Sequence, residues 1–342
     1  MRLLSAYSEV LAAGWEHLLA VSPYATWFQS PDAYRFFDSL HGEMKPFVFG
    51  VQEDDVLVGV MAGYITRERN AIKQFFTRRA IILGGALLDE RISDEALSLL
   101  LAITRKQLGR KAIYIELRNL HDYSHWKHIF AAQGFDYVPH LNFQVTCTDL
   151  QSTMARFKNN RKRQVRKALS NGAIISEAQS EDEVITYYQL LKDLYRRKVK
   201  TPLPSVYFFL NFYRERVGKI LLIKDHGAII GGIVCPVLEN RTLYEWYICG
   251  LDKQYRQQYP SVLTTYAAIE YTATHGIASF DFMGAGTPDT PYGVRTFKSR
   301  FGGTEVENGR FLHIVHPVLY RIGKFLFWVS QSLASYLNRA QN

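Results

Sequence analysis

One arrangement occurs twice in this chain, and it restricts the fold more than any other feature. PFVFGVQ, a turn at Glu53-Asp54-Asp55 and VLVGVMAGYIT read as a β-hairpin, because apolar residues dominate both arms and turn residues separate them. About 170 residues later KILLIKD, a His226-Gly227 turn and AIIGGIVCPVL read the same way. Gly59 and Gly231 hold matching places, each after three apolar residues. Each hairpin is followed by another strand, AIILGGALL or TLYEWYICG, and then by a helix. The first helix opens at Ser93-Asp94-Glu95 and the second at Pro260-Ser261, both start signals. A buried strand comes next, AIYIEL or SFDFMG, and each half closes on a strand, NFQVTCT or RFLHIVH. The expectation is an α/β (α+β) chain with two copies of one mixed unit, each a central sheet flanked by helices. At 342 residues the chain exceeds what a single core usually serves. The boundaries read as 1–150, a basic linker helix over 151–172, a second domain over 173–316, and an amphipathic C-terminal helix over 317–342.

Charge is concentrated in that linker. Arg156, Lys158, Arg161, Lys162, Arg163, Arg166 and Lys167 fall in a stretch with no acid between Asp149 and Glu177. Without them the net charge of +9 would drop to about +2. The run suits a polyanionic partner, whether RNA, nucleotide phosphate or an anionic membrane; a solvated helix face is the alternative. Cys147, Cys235 and Cys249 are far apart and odd in number, which fits neither a disulfide framework nor a zinc site and matches a reducing cytoplasm. No metal is expected. The N-terminus lacks a signal-peptide pattern, and no run of 18 apolar residues occurs. In the tail Leu319, Ile322, Leu326, Val329, Leu333 and Tyr336 form one apolar stripe flanked by Arg321, Lys324 and Arg339. Such a helix can pack on the body, pair with a second chain or lie on a membrane surface.

No P-loop, GxSxG elbow or EF-hand loop is present. Residues 244–303, YEWYICGLDKQYRQQYPSVLTTYAAIEYTATHGIASFDFMGAGTPDTPYGVRTFKSRFGG, combine a Tyr-rich strand, a helix ending at Gly276, the FDFMG strand and FK-x-x-F. This block resembles the Fem-type (FemABX) peptidyltransferases and their bacterial relatives. NNRKRQVRKALSNGAII (159–175) is similar to that family's basic helix, and SPYATWFQSPDAYRFF (22–37) resembles its N-terminal SPY…Q segment. The resemblance implies two tandem domains of the GCN5-related N-acetyltransferase (GNAT) fold. It also implies transfer of an aminoacyl group from aminoacyl-tRNA to an amine of a nucleotide- or lipid-linked muropeptide, a peptidoglycan precursor of the cell wall. The protein would then work in the cytoplasm at the inner membrane face, with peripheral contact through 317–342 one option.

An amine attacking an ester passes through a tetrahedral oxyanion, and a fixed cation at that oxygen lowers the barrier. The resemblance implies that Lys298 stabilises the oxyanion or the leaving group, with Phe297 beside it as a pocket wall or stacking surface. Asp281, between Phe280 and Phe282, and Glu245, within YEWY, are candidates to orient the amine or take its proton; a neighbour-paired acid is the alternative. Tyr244, Trp246 and Tyr292 are expected to line the acceptor site or to pack in the core. Arg295 and Arg300 would hold phosphate or face solvent. Arg35 falls near a position that grips precursor diphosphate in the cell-wall enzymes. Arg161, Arg163, Arg166 and Arg256 are the expected tRNA or phosphate contacts.

Two rivals remain. An acyl-CoA-dependent N-acyltransferase of the same fold, acting on a polysaccharide or other envelope amine, would seat CoA pyrophosphate at a helix N-terminus through Q/R-x-x-G-x-G/A. The corresponding turn here is RQQYPSV (256–262), which keeps Arg256 and has no glycine. A non-enzymatic RNA-binding module would use 156–167 and leave 244–303 unexplained. Aminoacyl-tRNA is thus the expected co-substrate, with no bound cofactor.

Overall fold

The computed structural model describes residues 1–40, 42–66, 78–199 and 201–325. They form two compact units, Met1–Val138 with the chain from Gly309, and Pro139–Asn308. Both hairpins are present: β2 (Met44–Glu53) with β3 (Val56–Thr66), and β10 (Gly218–Asp225) with β11 (Ala228–Leu238). Their likeness extends to a defect. Val51 pairs Gly59 and the register then shifts, as it does after Ile223 pairs Gly231. A bulge of this kind adds twist. The matched glycines have a second reason. A Cβ at Gly59 would lie 3.0 Å from Leu100 on the helix Asp94–Leu108, and one at Gly231 would lie 2.8 Å from Thr264 on the helix Pro260–Thr274. Each glycine admits the helix that crosses its hairpin.

The first sheet runs β1 (Arg2–Leu4), β2, β3, β4 (Arg79–Gly84), β6 (Tyr114–Asn119), β16 (Arg310–Ile314), β7 (Asp136–Val138), with β5 (Leu87–Leu88) on β3. The second runs β9 (Ile174–Glu177), β10, β11, β12 (Thr242–Tyr244), β14 (Ser279–Asp281), β8 (Leu141–Thr146), β15 (Thr304–Glu307), with β13 (Tyr247–Gly250) on β11. Position by position the two orders correspond. In each, one pair is parallel, β4 with β6 and β12 with β14, and its neighbours are antiparallel. The expected tandem GNAT-like architecture is therefore present.

The domain boundaries need correction. The strand containing NFQVTCT, expected to close the first half, is β8 and pairs with β14 and β15 in the second sheet. RFLHIVH, expected to close the second half, is β16 and pairs with β6 and β7 in the first. Each half lends its last strand to the other unit, so the breaks fall after Val138 and after Asn308 rather than at 150 and 316. Alternating side chains identify a strand but do not name its sheet. The basic linker is also not a linker. It forms two helices, Leu150–Ala155 and Asn159–Ser170, and Val165 and Ala168 enter the core of the second unit with Phe157, Leu263 and Phe301.

Local signals account for several elements. Ser30 caps the helix Pro31–Ser39 by accepting from Ala33 N at 3.0 Å, with Pro31 at its first position. Ser93 caps Asp94–Leu108 in the same way, from Ala96 N at 3.1 Å. The expected helix 8–21 is broken by Gly14, which sits at φ 100° between Tyr7–Ala12 and Trp15–Val21. The three cysteines are free and buried. The expected C-terminal helix is helical from 317 to 325, with Val318 and Phe325 exposed and Tyr320 edge-on to Tyr114; residues 326–342 lie outside the described residues. Among the described residues no helix is long and apolar enough to cross a membrane.

Candidate active site

The second sheet forks at the end of its parallel pair. Tyr244 pairs with Asp281, and Glu245 N still donates to Asp281 O at 2.9 Å. Trp246 N then turns to Val234 O, and β13 continues along β11. On the other side Phe282 N donates to Phe143 O and Ala285 N to Leu141 O, so this segment follows β8. Loops at the carboxyl ends of parallel strands are where open α/β sheets place their chemistry.

Three charged side chains meet at this fork, all buried: Glu245, Asp281 and Lys298. Lys298 lies on the short helix Gly293–Lys298. Its Nζ donates to Phe282 O at 2.7 Å, to Gly284 O at 2.9 Å and to Glu245 Oε1 at 2.8 Å. An ammonium has three protons, so all three are engaged. Asp281 is equally occupied. Oδ1 accepts from Asn142 Nδ2 at 2.8 Å and Met283 N at 2.6 Å, and Oδ2 accepts from Gln144 Nε2 at 3.0 Å. Asn142 Oδ1 in turn accepts from Gly284 N at 2.7 Å. Met283 takes a left-handed backbone, φ 55°, and the turn it makes brings both carbonyls that hold Lys298 to one point.

Glu245 differs from its neighbours. Its Oε2 is buried without a partner. Burial pushes its pKa up, the nearby Asp281 adds to this, and Lys298 opposes it. Burial also raises Asp281, against the pull of its hydrogen bonds and Lys298. Two carboxyls share one ammonium out of water, which favours uptake of a proton. The site therefore holds a fixed cation and a carboxyl with one open acceptor atom.

The other sequence candidates are placed as follows. Phe297 is half-buried; Arg161 lies over it, with the guanidinium carbon 4.5 Å from the ring centroid. Arg161 is thus a buried residue of the FK-x-x-F neighbourhood and not a surface contact, because its aromatic platform draws it in. Arg163, Arg166 and Arg256 are exposed. Arg295 is committed to the loop before it, with Nε on Ala285 O at 3.0 Å, Nη1 on Pro288 O at 3.1 Å and Nη2 on Thr287 O. It fixes that loop rather than reaching for phosphate. Tyr292 is exposed and covers Gly286. Tyr244 is buried core, whereas half-buried Trp246 packs edge-on to Phe208 at 4.9 Å. Arg35 belongs to the first unit, where it binds the Tyr7 hydroxyl and Asp32. Asn142 and Gln144 escaped the sequence reading, since their strand looked like part of the first half.

The corresponding place in the first unit is filled. Gln29, buried at the end of the β4–β6 pair, accepts from Thr26 N and donates to Gly85 O, both at 2.8 Å. Tyr123 donates to Ala86 O at 2.6 Å. The SPY…Q segment thus plugs the end of its own sheet.

Residues 155–298 match the family model described as an acetyltransferase (GNAT) domain. No curated protein matches by sequence. Among solved structures, FemX is similar at TM-score 0.70 and 16% identity, covering 94% of this chain and 99% of that one. L-PGS from Bacillus licheniformis is similar at TM-score 0.57 and 12% identity, over 91% and 95%. A tandem GNAT protein from the clavulanic acid biosynthesis pathway follows at 0.56 and 11%, over 92% and 98%. Residues 155–298 thus carry an acetyltransferase (GNAT) domain, and the two corresponding sheets give the chain the tandem GNAT-like fold of these structures.

Proposed function

We propose that the protein transfers an aminoacyl group from aminoacyl-tRNA to an amine of a nucleotide- or lipid-linked peptidoglycan precursor. The observation that carries this reading is the buried Lys298–Glu245 pair with its unpartnered Glu245 Oε2. An attacking amine must shed a proton, and a carboxyl with a raised pKa is suited to receive it. The amine nitrogen bonds to the ester carbonyl carbon, the carbonyl electrons move to oxygen, and the proton passes to Glu245 Oε2. Neutral Glu245 then loosens its hold on Lys298 Nζ, which frees one N–H for the oxyanion. Collapse breaks the bond to the ribose oxygen, which takes the proton back from Glu245. In this scheme Asp281 is a positioning residue. Through Asn142 and Met283 it sets the loop whose carbonyls aim Lys298.

A second feature weighs against acyl-CoA. At the N-terminus of Pro260–Thr274, where a pyrophosphate would sit, the Asp252 carboxylate accepts from Ser261 N at 3.0 Å and from the Ser261 hydroxyl. An internal anion already fills that seat. A Cβ at Gly250 would lie 2.5 Å from Ser261 N, so backbone also crowds the position.

The test is incubation with charged tRNA and either muropeptide form, with products weighed by mass spectrometry. Expected is an acceptor heavier by one aminoacyl residue, lost on ribonuclease treatment. Ribonuclease-resistant transfer, or stabilisation by acyl-CoA in a melting experiment, would overturn the donor assignment.

A further inference from the structure

Arg161 is the third residue of the helix Asn159–Ser170 and only 5% exposed. Its guanidinium carbon stands 4.5 Å from the Phe297 centroid and 5.3 Å from that of Phe301. Nη1 donates to Gln164 Oε1 at 2.6 Å, and Nε is sealed from solvent with no acceptor. Among the described residues no carboxylate comes within ion-pair distance of it. Asp252 attracts it from farther off, but that carboxylate is committed to Ser261. Arg300 repels it; its backbone carbonyl accepts from Lys158 N, at the start of the same helix, at 3.0 Å, and its side chain has no ion-pair partner among the described residues either. Burial first, and Arg300 second, bring the Arg161 pKa down to about 10. Next to it Asn160 Oδ1 is also buried and unpartnered, and no side chain caps the helix.

A buried cation beside another cation, without a counter-ion, is costly unless an anion joins it. We propose that Arg161 and Arg300, with the uncapped first turn of Asn159–Ser170, form a phosphate subsite beside the FK pair. The exposed Arg163 and Arg166 are not its ligands. This rests on the aminoacyl-transfer reading for the source of the phosphate, which is either the 3′ end of the donor RNA or the diphosphate of a nucleotide-linked acceptor. A phosphate accepts from the open guanidinium N–H groups and from the free backbone N–H groups of the first turn. An adjoining ribose hydroxyl can donate to Asn160 Oδ1.

Binding, not turnover, tests this. Calorimetry would compare a CCA trinucleotide with adenosine, and a nucleotide-linked muropeptide with the same peptide lacking its nucleotide. Arg300→Gln is the first variant, since that side chain is half-buried without ion pairs; Arg161→Lys is the second, keeping the charge and removing the fork. Each is expected to weaken one phosphate-bearing probe by about tenfold or more, as loss of a charge-assisted bond implies, with its phosphate-free control little changed. Weakening of the trinucleotide assigns the subsite to the donor; weakening of the muropeptide assigns it to the acceptor. Wild-type affinity for both probes in both variants overturns the proposal, as does failure of the wild type to bind either. If phosphate binding falls as expected while the wild type transfers nothing, the subsite stands and the transfer reading fails.

Discussion

Replacing Lys298 by Met tests the polar fork directly. By spacing alone this lysine is one cation among three, with Arg295 and Arg300, and the family resemblance is what singles it out. In the structure it is buried and holds Glu245 at 2.8 Å. Methionine fills similar volume and removes the charge, which leaves two buried carboxyls without a cation. Breaking a buried pair from one side costs about 3–5 kcal/mol. Part of that is recoverable by protonation. The Glu245 pKa already stands above 4.5, and losing Lys298 removes the groups that lower it. A carboxyl whose folded pKa exceeds its unfolded one binds protons more tightly when folded. Stability of the variant therefore falls as pH rises from the unfolded value through the folded one, and is flat above it. Urea denaturation at a series of pH values should show the midpoint of Lys298→Met well below wild type near neutrality and converging with it in acid. Adding Glu245→Gln should reduce that pH dependence to the part Asp281 carries and restore part of the stability, while transfer stays lost. A Lys298→Met protein as stable as wild type at every pH would refute both the pairing and the burial argument. Recovered transfer in the double variant would refute the catalytic roles.

Three other perturbations have defined outcomes. Glu116 accepts from Arg118 at 2.9 Å and Arg310 at 2.7 Å; burial alone would raise its pKa, but the two arginines outweigh this and hold it at about 2. Its stabilisation is complete above the ordinary value of 4.5 and is lost as pH falls toward 2. Glu116→Gln should lower the melting temperature near neutrality and flatten its fall over that acid range. Gly302 ends the FK-x-x-F turn at φ 73°, and a Cβ there would meet Arg156 at 2.6 Å. Gly302→Ala should cost more than the roughly 1–2 kcal/mol of backbone conformation alone, measured by urea denaturation, whereas Gly172→Ala, at φ 89° with open space around it, should cost only that backbone part. Asp281→Asn should leave substrate KM nearly unchanged and lower kcat, because it disturbs the loop that aims Lys298 without touching substrate; a pure KM effect would contradict the positioning role.

The hairpins, the capped helices and the doubling were legible because each rests on contacts close in sequence. Ser30, Ser93 and the bulge-bearing glycines carry their own instructions. The strand exchange was not legible, since NFQVTCT and RFLHIVH have the period of a strand in any sheet. The site was half legible. Lys298, Asp281 and Glu245 do meet, but Asp281 is held by Asn142 and Gln144, which lie far away along the chain. Arg161 shows the same limit of local reading. The cationic run around it suited either a polyanionic partner or a solvated face, and in both readings Arg161 pointed outward, yet this helical position turned inward onto two phenylalanines.

The exchanged strands also fix a timetable for synthesis. β7 reaches the rest of the first sheet only through β16, since β16 lies between it and β6. A ribosome that has released residues 1–150 has therefore delivered an incomplete sheet with an open edge at β6. That gap persists through the making of nearly the whole second unit and closes only when Arg310–Ile314 emerges. Among the described residues the last strand in the chain completes the first sheet to be begun, so a chain cut before Arg310 leaves that sheet without β16 and strands β7.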